Sequence, residues 1–106
     1  MIRRRALDFS RINAAALPAL PALCARWLPG GKRFGREYVT LNPTRADRHA
    51  GSFKVNLQTG RWADFATGDK GGDAVSLAAY LFGLRQSEAA RRLADALGIS
   101  EAARHA

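Results

Sequence analysis

The chain has 106 residues, 47% hydrophobic and 25% charged, a balance that suits one globular domain and excludes a wholly disordered chain. Seventeen Lys/Arg against nine Asp/Glu leave a net charge of +8, which points to a polyanionic partner. A single cysteine, Cys24, excludes an intramolecular disulfide and a cysteine-rich zinc site.

In chain order, residues 1–9 read as a mobile basic arm, with Asp8 or Ser10 capping a first helical segment through Ala16. Pro18 and Pro21 each remove an N–H donor, so a break is expected near Leu17, followed by a second helical segment to Leu28. Leu17, Leu20, Leu23, Trp27 and Leu28 form its apolar stripe, and Cys24 reads as a small buried hydrophobe. Phe34–Leu41 predicts a first strand, rich in β-formers at Tyr38, Val39 and Thr40. A polar loop over 42–51 leads to a second strand, Ser52–Leu57, in which Phe53, Val55 and Leu57 alternate with Lys54 and Asn56. Gln58-Thr59-Gly60 is a hairpin connection, and Arg61–Ala66 returns as a third strand with Trp62 and Phe65 on opposite faces. A turn with three glycines, Thr67–Gly72, precedes Asp73, the N-cap of a helix to Phe82 that Gly83 stops. Ser87 opens a last helix to Leu97, and residues 100–106 form a flexible tail. The sum predicts a single α+β domain: three antiparallel strands, an N-terminal helical segment and two C-terminal helices.

The charge is unevenly spread. Residues 1–54 hold 11 Lys/Arg and 3 Asp/Glu, while residues 55–106 hold 6 of each. One side of the fold is therefore expected to be electropositive and to attract nucleic acid, although basicity that serves only solubility would look similar. Catalysis is not expected. The two histidines, His49 and His105, lie in a loop and the tail, and no nucleophile elbow, zinc-protease helix or P-loop is present. Asp64, Asp69 and Asp73 would suit Mg²⁺, but turn and cap chemistry explains them more simply. The glycine turn before Asp73 offers amides to a phosphate, although a tight strand-to-helix turn needs the same residues.

The better signal joins cations to aromatics. Lys54, Arg61 and Trp62 come from one hairpin, and Arg33, Arg36 and Tyr38 from the neighbouring strand region. With Arg45 and Lys70 they make a candidate nucleic-acid surface. Cations would meet phosphates and Trp62 would stack on a base, as in surfaces that bind single strands.

Several of these segments resemble the N-terminal zinc-ribbon domain of bacterial, phage and plasmid DNA primases. Gly51-Ser52-Phe53-Lys54-Val55 matches that family's strand motif, and Gly71-Gly72-Asp73-Ala74-Val75 matches its helix start. Asn42-Pro43-Thr44-Arg45 stands where a Cys-Pro-x-His pair belongs, and Asp64 to Thr67 where a Cys-x-x-Cys pair belongs. The expected zinc ligands are thus replaced, and no metal or other cofactor is predicted. Packing of Phe53, Val55, Phe65 and the two C-terminal helices is expected to hold the hairpin instead. The resemblance implies a non-catalytic DNA-binding module of a mobile-element replication system, favouring single strands, with a primase or helicase catalytic subunit as a further candidate partner. The sequence also admits a protein–protein adaptor docking through the Ala-rich helices. The N-terminus lacks a signal-peptide core and no apolar run could span a bilayer, so a cytoplasmic location without membrane contact is expected.

Overall fold

The computed structural model describes residues 7–48 and 50–99. The expected mobility of residues 1–6 and 100–106 and the placement of His49 lie outside them. Three helices and five strands follow in the order α1 (Phe9–Trp27), β1 (Lys32–Phe34), β2 (Glu37–Thr40), β3 (Phe53–Asn56), β4 (Trp62–Asp64), β5 (Lys70–Gly71), α2 (Ala74–Phe82) and α3 (Gln86–Leu97). The α+β class is as expected, but the sheet has five antiparallel strands rather than three, in sequential order.

Both extra strands are short. The predicted strand from Phe34 is a hairpin, because Gly35 adopts φ 62° and reverses the chain between β1 and β2. All three β1 residues are exposed, so no alternation of burial marks the strand in the sequence. β5 pairs with β4 inside what reads as a turn. Gly71 is required there. A Cβ would overlap the Trp62 indole and the Ser76 hydroxyl, so the glycine run serves close packing.

The two prolines do not break α1, which runs through both. Pro18 is exposed and Pro21 half-buried, so both sit off the buried stripe, where a carbonyl left without its amide partner is within reach of water. The buried stripe is Ile12, Ala16, Leu20, Leu23 and Cys24, with Leu17 only half-buried. Asp8 caps this helix by accepting from the Arg11 amide at 3.0 Å, and Leu7 packs on the core, so the expected arm does not reach to residue 9.

Helices α1, α2 and α3 pack together and cover one face of the sheet. Tyr38, Phe53, Val55 and Trp62 from that face join them in one continuous core. Burial raises the Cys24 thiol to about 12, as suits an inert core residue. Phe65 does not join the core as predicted; it is 71% exposed. Phe82 is also exposed, while Leu77 occupies the core-facing position on α2. Asp73 caps α2 by a capping box with Ser76, and Gly83 and Gly98 close α2 and α3 in the left-handed conformation. No helix among the described residues is long and apolar enough to cross a membrane.

An interior proline costs about 3 kcal/mol of helix, less the smaller amount by which it restrains the unfolded chain. Pro18→Ala is therefore expected to stabilise the domain by about 1–2 kcal/mol, read as a higher urea midpoint at unchanged slope.

Candidate nucleic-acid interface and the clamp behind it

Strand alternation decides what the uncovered face of the sheet presents. Tyr38, Phe53, Val55, Trp62 and Asp64 point inward, so their neighbours point out. The register aligns Lys32 with Val39, Val39 with Lys54, Lys54 with Ala63 and Ala63 with Lys70. One rung across all five strands thus carries three lysines on alternate strands, at backbone spacings of about 10 Å. The next rung aligns Phe34, Glu37 and Asn56, and Asn56 donates its amide to the Arg61 carbonyl at 2.7 Å. Phe65 follows β4 on the other side of the lysine rung, its amide donating to the Ser52 carbonyl at 2.8 Å.

Phe34 is 63% exposed and Phe65 71%. From the register they stand at opposite corners, about 20 Å apart on a flat sheet. The ammonium of Lys54 sits 5.8 Å from the Phe65 ring centre. Beside Phe65 lies a shallow depression of about 260 Å³, lined in part by Lys54, Arg61, Ala63, Phe65 and Lys70 and, at its floor, by the largely buried Trp62.

The structure brings together only part of the predicted set. Lys54, Arg61 and Lys70 share the uncovered face. Arg33 and Arg36 lie at the β1–β2 turn beside Leu17, Pro18 and Pro21 of α1. There Arg33 Nε donates to the Gly35 carbonyl and Arg36 to Gln58 Oε1. Tyr38 is 8% exposed and donates its hydroxyl to the Leu28 carbonyl at 2.7 Å. Trp62 is 5% exposed. Its ring packs against Phe53 and Tyr80, and its Nε1 donates to Ser76 Oγ. Neither Tyr38 nor Trp62 has a free face for a base, because an aromatic on the inner side of a small sheet completes the core. The residues that sequence reasoning missed are Lys32, Phe34 and Phe65. The parity of Phe65 against Trp62 was the available signal for one of them.

Arg45 also leaves the predicted surface. Its Nε donates to Asp64 Oδ2 at 2.9 Å, and its terminal nitrogen reaches Ser52 Oγ at 3.1 Å and Asp47 at 3.4 Å. Asp64 is fully buried and accepts also from Asn42 Nδ2 at 2.8 Å and from the Ala66 amide at 2.9 Å. The Asn42 amide group donates to the Tyr80 hydroxyl, which donates to Asp69. Asn42 Oδ1 accepts from the Thr44 amide and hydroxyl. The loop after β2, the turn after β4 and helix α2 are thereby tied at one point. The hairpin is held by this network as well as by Phe53 and Val55, and not by Phe65.

The Arg45 hydrogen bond holds the Asp64 carboxyl well below the usual carboxylate range, against the opposing effect of burial. Asp64 in turn raises the Arg45 guanidinium. Asp64, Asp69 and Asp73 do not form an ion site: the first pairs with Arg45, the second with Tyr80, and the third caps α2. Among the described residues no group of three His, Cys, Asp or Glu could hold a metal ion. The start of α2 offers little to an anion, since the Val75 amide is taken by Asn13 and the Ser76 amide by Asp73.

No protein-family model and no curated protein sequence matches the chain.

Asn42→Ala strips donors from buried Asp64 and from Tyr80, and should cost about 1–3 kcal/mol by chemical denaturation. The Asp64 carboxyl titrates lower in the folded than in the unfolded chain. Its contribution is therefore complete above about pH 4 and is lost as acidification approaches the folded value. Asp64→Asn should lower stability at pH 7 and flatten its decline below pH 4; a decline as steep as in the parent would reject the clamp.

Proposed function

We propose that this domain is a non-catalytic nucleic-acid-binding module, and that a single strand lies across the uncovered face of its sheet. The observation that carries the reading is the rung Lys32–Val39–Lys54–Ala63–Lys70 with a solvent-exposed phenylalanine on each side. Lysines release counterions from a phosphate chain, and exposed rings supply platforms for unpaired bases. Arg61 adds a fourth cation at the same depression. Phe34 and Phe65 are too far apart to grip adjacent bases, which stack at about 3.4 Å. They would hold separate bases of one strand, with phosphates between them over Lys54.

The relationship to primase zinc ribbons belongs to the same proposal, in a form that needs no metal. What supports it is convergence. Asn42 and Arg45, which stand at the first ligand pair, both hydrogen-bond to Asp64 at the start of the second. An ion pair and an amide then occupy the place of the ion. The corresponding role is engagement of template DNA in the cytoplasm beside a primase or helicase catalytic subunit of a mobile element.

Lys54→Ala and Lys70→Ala should each reduce the slope of log K against log salt by about 0.7 on a single-stranded oligonucleotide, measured by fluorescence anisotropy. Phe65→Ala should cost about 1–3 kcal/mol on the single strand and leave duplex binding unchanged. Binding that ignores salt, or that Trp62 substitutions abolish without loss of folding while Phe34 and Phe65 substitutions do nothing, would overturn the assignment.

A further inference from the structure

On the helical side of the molecule, away from the lysine rung, α1, α2 and α3 leave an apolar slot. Trp27 from the end of α1 and Phe82 from the end of α2 meet edge-to-face, with ring centres 5.8 Å apart. Phe82 nevertheless remains 51% exposed. Together with Leu84 they wall the slot, while the small side chains of Ala78, Ala89 and Ala96 leave it unfilled. Its volume is about 170 Å³. A space of this order accepts one aromatic ring or one branched aliphatic side chain.

The charges beside the slot select the occupant. Arg92 is the charged residue that lines it directly; among the exposed chain neighbours of its lining, Arg26, Arg85 and Arg91 stand against Glu88 and Asp95, so the surroundings are cationic in balance. Glu88 reaches Arg92 at 3.6 Å across one helical turn, an exposed pair that a competing carboxylate can displace. A second copy of this chain is disfavoured, because each carries a net charge of +8. We infer that the slot docks an acidic peptide segment of a partner protein, which seats one bulky apolar side chain between Trp27 and Phe82 and sets carboxylates against Arg26, Arg85 and Arg92. Helix-in-groove recognition of this kind combines a central apolar anchor with a charged rim. The inference is independent of nucleic-acid binding, since the two surfaces lie on opposite layers of the fold.

The test is an NMR titration of the isotope-labelled full chain with a synthetic amphipathic peptide bearing Leu and Phe on one helical face and Glu on the other. Saturable shifts are expected at the Trp27 indole and at the Phe82 and Ala96 amides. A matched peptide with Lys for every Glu should bind at least about tenfold more weakly, as should the Arg92→Glu and Phe82→Ala variants with the original peptide. Circular dichroism and thermal melts would confirm that the variants are folded, and their oligonucleotide affinity should not change. The inference is overturned by absence of saturable shifts, by equal binding of the Lys peptide, or by shifts confined to the sheet face. It is also overturned if the chain self-associates through Phe82, or if an oligonucleotide alone moves the Trp27 signal.

Discussion

The carboxylate of Asp64 is the point on which the arrangement turns. It is fully buried at the end of the central hairpin, where an unpaired charge would be intolerable. Arg45, Asn42 and the Ala66 amide all converge on it, and through Asn42 and Tyr80 the constraint passes to α2. Against well-packed apolar residues of similar size, a buried ion pair contributes little net stability. Its effect here is on uniqueness. The connection from β2 to β3 is polar and has few apolar anchors, so many courses over the sheet would otherwise be similar in energy. Any course that moves Arg45 or Asn42 away strands the Asp64 charge. The loop is therefore fixed by the penalty on its alternatives, in the way a bound ion would fix it.

Alternation and capping were legible in the sequence because local chemistry decides them. Phe53, Val55 and Leu57 are buried as their period of two requires, and α2 is delimited by the Asp73 carboxylate at its start and by Gly83, which lacks a Cβ and takes the left-handed conformation, at its end. The uninterrupted α1 was not legible. Two prolines argue for a break, and only their position off the buried stripe of the helix weakens the argument. β1 was hidden for a different reason. A strand exposed at every position carries no burial pattern, so its existence depends on Gly35 and on pairing with β2.

The candidate site was half legible for a related reason. Cations on Lys54, Arg61 and Lys70 follow from strand parity, but residue type alone misassigned the aromatics. Trp62 and Tyr38 are the larger, amphipathic rings, and each has an internal hydrogen-bond partner, Ser76 Oγ and the Leu28 carbonyl. Those partners make burial possible without an unsatisfied polar atom. Phe34 and Phe65 have no polar handle, yet parity turns them outward. Arg45 was misread because an arginine in a polar loop looks solvated, and its carboxylate lies 19 residues further on in the chain.

This sorting of charge also orients the proposed ligand. Among the described residues, Asp64 is neutralised from within, while Lys32, Lys54, Arg61 and Lys70 face outward and Arg33 and Arg36 lie at the β1–β2 turn beside α1. The carboxylate of that outer face is Glu37, on the same rung as Phe34 and one strand from Lys32. The β1–β2 half of the face is thus close to neutral, with Lys32 set against Glu37. The β3–β5 half carries Lys54, Arg61 and Lys70 around the depression beside Phe65. A phosphate chain would be drawn first to the β3–β5 half, where the Lys54 ammonium already stands over the Phe65 ring. Phe34 would then take a base from a part of the strand whose phosphates are only weakly held. Electrostatics on this surface favours its β3–β5 end, and in the proposed complex the second ring would extend the contact along the bound strand.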